Sequence, residues 1–287
     1  MTQIIAGLKK EWLFFWRSFR FGGILIAFIA CALLTPLTSA MVLSMRDISD
    51  EMPGMEGMAE VINMYEGESG LLLSFGGTIG MFSSALVPPM MFLVIALFIG
   101  GMSGGEQKRR SIIIPQTSGL KPLGYVLPKF ILFPPLVFVM TVLSMLLSNA
   151  ACEIIVGMSF PAEVALITGT FAGLSLMFLV CMYMFFGISL AQPRLAILYV
   201  GAANTVFPII NMVFNLDRFT PWSLETMIGN ILNNHLYGET GNLYEGMSTV
   251  GIVATVAITF ALCIVFMLLT HFSLVAKQMD NTADEVY

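Results

Sequence analysis

The sequence predicts an all-α, polytopic membrane protein: six transmembrane helices, an N-terminal amphipathic interfacial helix, and both ends on the cytoplasmic side. Composition is the first observation behind this. Apolar residues make up 57% of the 287 positions and charged residues 11%, with mean hydropathy +0.87, against ~45–50% and ~25% in soluble domains. Charge placement is the second. When the long apolar runs are read as six spans with the N-terminus inside, every Lys and Arg except Arg46 and Arg218 falls on the inner side. Lysine and arginine near span ends resist translocation, so this asymmetry orients the chain. The acids do the reverse, collecting between Asp47 and Glu68 and again between Asp217 and Glu245.

Residues 1–21 come first. Ile5, Leu8, Trp12, Phe15, Trp16 and Phe19 recur at helical spacing, with Gln3, Lys10 and Arg17 opposite, the pattern of a helix lying in the inner leaflet. Spans are expected at 22–43, 79–101, 129–152, 164–190, 195–215 and 249–275, each near the ~20 residues needed to cross hydrocarbon. An acidic outer loop over 44–78 follows the first span. A cytoplasmic loop over 102–128 separates spans two and three, and a tight hairpin at Gln192-Pro193-Arg194 joins spans four and five. Pro88-Pro89 and Pro134-Pro135 predict kinks in spans two and three. Residues 216–248 form an extracytoplasmic re-entrant region whose periodic piece, from Trp222 to Leu232, and the Gly- and Asn-rich turn after it predict one or two short helices dipping into the outer leaflet.

The chemistry of the chain is mostly a matter of exclusion. No Gly-Lys dipeptide occurs, so a Walker-type phosphate loop is excluded and ATP is not hydrolysed by that route. His235 and His271 are the only histidines, too far apart for a local zinc site. Cys31, Cys152, Cys181 and Cys263 lie dispersed in or beside apolar runs and read as packing residues. No catalytic residue, cofactor site or metal site is expected, and the negative net charge of -5 implies no nucleic-acid partner. Met52, Met55 and Met58 have a spacing that suits soft Cu(I) ligation or, alternatively, adaptable apolar contact. The central thirds of the spans carry almost no charge, which disfavours a proton-coupled carrier or a voltage sensor.

Neutral polar stripes remain. Asn204, Pro208, Asn211 and Asn215 share one face of span five; Thr141, Ser144 and Ser148 share one face of span three. Such stripes either line a cargo path or hydrogen-bond between helices. Gly169 and Gly173 form a small-xxx-small pair suited to helix packing.

The loop between spans two and three carries Glu106, Lys108, Arg109 and Arg110, then Ser111 and Lys121, and Lys129 opens span three. With the amphipathic elbow, six spans and outer re-entrant helices, this pattern resembles the permease subunits of bacterial ATP-binding-cassette exporters of the second type. Glu106 and Lys129 match the ends of the family's loop pattern, and Ser111 stands near its usual Thr. Arg110 replaces a customary Gly, Pro115 follows Ile112 to Ile114, and Ser118-Gly119 replaces the Pro-Ser turn. The resemblance implies a non-enzymatic translocation subunit in a bacterial cytoplasmic membrane, embedded in lipid and paired with a second copy or a sister permease. It also implies two separate ATPase subunits that bind ATP and Mg and press on Glu106, Lys108, Arg109, Arg110 and Lys121. Cargo would be an antimicrobial peptide, a drug or another amphipathic molecule. Two other classes stay open: a non-transporting immunity or sensor protein that sequesters a ligand, and a secondary carrier.

Overall fold

A computed structural model describes residues 2–17, 20–46, 56–83, 90–98, 121–190, 193–214, 219–238 and 242–284. Among these there is no strand. The helices are α1 (Thr2–Arg17), α2 (Arg20–Ser44), α3 (Glu56–Met64), α4 (Gly67–Ser83), α5 (90–98), α6 (Pro122–Ile155), α7 (Ala162–Leu190), α8 (Pro193–Phe214), α9 (Ser223–Tyr237) and α10 (Thr249–Asp284).

Four stretches are long and apolar enough to cross a membrane: Arg20–Ser44, Pro122–Ile155, Ala162–Leu190 and Thr249–Ala276. They coincide with expected spans one, three, four and six. The fifth falls on α8, whose apolar stretch, Arg194–Ile210, is shorter. The second falls on the end of α4 and on α5, and Pro88-Pro89 lie outside the described residues.

α7 is the hub. It is apolar on every side, with 78% of its most hydrophobic window buried against 11% for α10, and it packs against α4, α6, α8, α9 and α10. A helix apolar all round belongs inside a bundle or in lipid, and α7 takes the first place and α10 largely the second. The α6–α7 contact is close because the small-xxx-small pair is there. A Cβ on Gly169 would stand 3.0 Å from Met145 Cβ, and one on Gly173 would stand 2.9 Å from the Phe138 ring.

Local signals explain where α6 starts and stops. Lys121 is extended at φ -70°, ψ 150° and Pro122 follows it, where the missing N–H costs no helical bond. The loop expected over 102–128 therefore gives way at Pro122, and 122–128 form the first turns of α6. Pro128, Pro134 and Pro135 lie within the helix, which runs on through them; neighbouring helices support such breaks in the ladder. Gly157 ends the element at φ +77°, a left-handed position that glycine takes without strain. Asn149 then clasps Phe160 both ways, accepting from its N–H at 2.9 Å and donating to its carbonyl at 2.8 Å.

The outer loop expected over 44–78 is corrected. Much of it is helical, and α4 buries Leu71, Ser74, Phe75 and Thr78 against α2, α6 and α7. The acids Glu66 and Glu68 beside the run mask its apolar character in the sequence. Gly70 permits the tight start of α4, since a Cβ there would lie 2.0 Å from the Tyr65 carbonyl oxygen. An ion pair between Arg46 and Glu66 ties the end of α2 to this start; both groups are partly exposed, so it contributes roughly 0–1 kcal/mol.

Candidate functional site

The first site lies where α1 meets the start of α6. Gly7, Glu11 and Phe15 stand four apart and so share one helix face. A Cβ on Gly7 would meet Pro128 Cγ at 2.7 Å and the Gly124 carbonyl oxygen at 3.0 Å, so only glycine admits the approach as it stands. One turn on, Lys129 Nζ donates to Glu11 Oε1 at 2.8 Å. Lys129 is wholly buried and Glu11 is 3% exposed. The ammonium also sits 4.9 Å from the centre of the Tyr125 ring, a cation–π contact that offsets part of its lost hydration. Glu11 Oε2 is buried with no hydrogen-bond partner among the described residues. Phe15 closes the stripe, edge-on to Phe133 with centroids 5.5 Å apart.

This inward stripe differs from the apolar stripe read in the sequence. Of the described members of that set Phe15 alone is fully buried, while Ile5, Trp12 and Trp16 are exposed; Phe19 lies outside the described residues. In a membrane, lipid accepts large apolar side chains, so close packing and the Glu11–Lys129 ion pair choose the inward face instead. Lys129 is accordingly no marker of the span's end. It lies seven residues inside α6, about 10 Å along the axis.

A second feature is a hydroxyl seam joining α2, α4 and α6. Thr35 donates to the Ser74 carbonyl at 2.6 Å and pairs with the Thr78 hydroxyl. Ser39 pairs with the Ser74 hydroxyl, and Ser148 donates to Thr78 Oγ1 at 2.9 Å. Ser39, Ser74, Thr78 and Ser148 are buried. Each bond contributes about 0.6 kcal/mol in such bundles, and together they set the register of three helices.

The residues singled out in the sequence fall differently. Glu106, Lys108, Arg109 and Arg110 lie outside the described residues, and Lys121 is exposed immediately before α6. On α6, Thr141 bonds back to the Val137 carbonyl at 2.8 Å, Ser148 joins the seam, and Ser144 is buried at 5% exposure. On α8, Asn204 is buried and accepts a 2.9 Å bond from Trp222 Nε1; Trp222 also stacks on Phe207 with centroids 4.8 Å apart. Pro208 is half-buried in the helix, the side chain of Asn211 is not among those described, and Asn215 lies outside the described residues. Met52 and Met55 lie outside them too.

Sequence reasoning missed Glu11 and Asn149. Glu11 carried a signal: it is the lone acid in an otherwise basic amphipathic segment. Among the described residues no group of three or more His, Cys, Asp or Glu is placed to hold a metal ion, and the four cysteines are free.

These features define a class: a helical membrane protein with an N-terminal helix fastened to its bundle by a buried ion pair. In comparisons with known proteins, no family model, curated protein or solved structure matches the chain.

Proposed function

We propose that the chain is the membrane-spanning permease subunit of an ATP-driven exporter of the ATP-binding-cassette class, in a bacterial cytoplasmic membrane. It works with two separate ATPase subunits and a second permease, either another copy or a sister chain. Six spans are completed by α4 with α5 as the second and α8 as the fifth, with both termini inside. ATP and Mg bind on the partner, and the cargo is amphipathic.

The observation that carries this reading is the fastening of α1 to α6. The basic segment from Glu106 to Lys121 leads directly into α6, and two turns later Lys129 locks α6 to Glu11. A push on that segment by closing ATPase subunits therefore moves α6 and α1 as one body. Tilting them against α7 would switch the cavity between facings, a rigid-body form of alternating access. The polar stripe that the sequence places on span five, Pro208, Asn211 and Asn215, then lines the path.

One observation favours a second reading, a membrane protein that sequesters its ligand without transport. Thr141, Ser148 and Asn204 are engaged in bonds within the bundle, which gives them work as packing residues rather than as path.

The test is to purify the chain in mild detergent from its native membrane and photolabel the preparation with 8-azido-ATP. The exporter reading expects label on a separate chain that hydrolyses MgATP, and none on this one. A preparation with neither label nor hydrolysis would leave the sequestering protein in its place.

A further inference from the structure

Two adjoining cavities open where α7 and α10 begin and α9 lies alongside. The larger, about 630 Å3, is walled by Leu166, Ile167 and Phe171 of α7 and by Met247, Ile252 and Val253. Thr170, Asn242, Tyr244 and Thr249 add polar groups to it. The smaller, about 260 Å3, is bounded by Ser223, Thr226, Asn230 and Ser248 with the backbone of Gly246 and Gly251. Met247 and Ile252 line both, so the two share a wall, the larger chamber mainly apolar and the smaller one mixed, with Met227 beside its polar groups.

Three properties limit what fits. Size is the first: 630 Å3 lies within the ~300–1,000 Å3 typical of small-ligand sites. At the ~30 Å3 that a water occupies in the liquid, taken as one methylene-sized group, it holds roughly twenty such groups, one alkyl chain rather than two. Charge is the second. None of the described lining residues is acidic, basic or histidine, and an unpaired charge at such a place is costly. Depth is the third. Phe171 lies nine residues into α7 and Val253 four into α10, about 13 and 6 Å along their axes, so the apolar wall runs inward while Thr226, Asn230 and Ser248 are exposed at the end of the bundle.

We propose that this junction binds a single-chain amphiphile with an uncharged, hydroxyl-bearing head. The alkyl chain lies in the larger cavity between α7 and α10. The head reaches past Met247 to the amide of Asn230 and the hydroxyls of Thr226 and Ser248. Ser223 and Thr170 face the ligand as acceptors, since their hydroxyls donate to the carbonyls of Thr220 and Leu166 at 2.6 and 2.8 Å. The site requires no ATPase partner, so it stands or falls separately from the exporter reading.

The test uses the full chain in phosphatidylglycerol nanodiscs and a monoacylglycerol carrying a diazirine in its chain, with adducts mapped by mass spectrometry. Adducts should concentrate within 166–171 and 247–253, saturate with probe, and be displaced by unlabelled monoacylglycerol. Thr170→Phe and, separately, Ile252→Phe fill the larger cavity and should reduce labelling there at least about fivefold, while Asn230→Leu should weaken competition by roughly two- to tenfold, the value of a lost hydrogen bond. The competition arm needs only the wild-type chain, so it decides the matter even if a variant folds poorly. Non-saturable labelling would overturn the site. So would equal labelling by a two-chain diazirine phosphatidylglycerol, or adducts spread along Phe260, Ile264 and Leu268 on the exposed face of α10, since either would mean annular lipid only.

Discussion

Lys129 is the residue whose environment most exceeds what its place in the sequence implies. It opens the span in the linear reading and is fully buried in the fold. A buried charge left without its partner costs about 3–5 kcal/mol, whereas replacing both members by apolar residues of similar volume is often neutral. Lys129→Met alone should therefore lower the melting temperature of the detergent-solubilised protein sharply, and Glu11→Met with Lys129→Met should recover most of the loss. Equal melting of the single and double variants would show that the pair does not hold α1 in place. Gly173 makes a second residue-scale test. The Phe138 carbonyl oxygen lies 3.2 Å from where its Cβ would be, so Gly173→Val should overpack α6 against α7 at about 1–3 kcal/mol. Gly80 has open space at the same point, and Gly80→Ala should leave melting unchanged. The glycine pair of α7 was legible because small residues four apart carry a packing signal. The bonds of Glu11 and Asn149 were not, because each meets a partner that only the tertiary fold brings near.

At the scale of elements, long uninterrupted apolar runs were readable and interrupted ones were not. α2, α6, α7 and α10 stand where continuous hydropathy places them. α4 hid because its apolar core, Leu71 to Phe75, is flanked by Glu66 and Glu68 and diluted by glycine and serine, which are the residues that let helices approach closely in a membrane. α9 was legible from its period: Leu224, Met227, Ile228, Ile231 and Leu232 are the face it buries. For α1 the helix was readable and its inward face was not, since hydropathy does not choose a face when lipid is the solvent. The packing of α10 on α7 can be tested through their cysteines, because Cys181 of α7 and Cys263 of α10 are close enough to interact. With Cys31 and Cys152 replaced by serine, copper-phenanthroline should join the remaining two, seen as loss of two hydrogens in intact mass and of maleimide reactivity. Thiols that stay alkylatable after oxidation would displace α10 from this position.

For the whole molecule the account rests on orientation and on the source of energy. In a cysteine-free background, single cysteines at Glu60 and Asn242 should react with an impermeant maleimide in sealed cells, and those at Lys108 and Asp284 should not; labelling at Lys108 would invert the account. The central claim is that an outside ATPase drives this bundle through the basic segment ahead of α6. The measurement that tests it most directly is MgATP hydrolysis by the complex purified from native membranes, wild type against a Lys108→Gln, Arg109→Gln, Arg110→Gln triple variant whose orientation has first been checked by the maleimide assay. Each exposed charge pair contributes only roughly 0–1 kcal/mol, so the three must be changed together. The account predicts vanadate-sensitive hydrolysis with the wild-type chain and its loss with the triple variant, which still reaches the membrane and keeps its melting temperature. Hydrolysis that is absent from the wild-type preparation, or equal in the two, would contradict it.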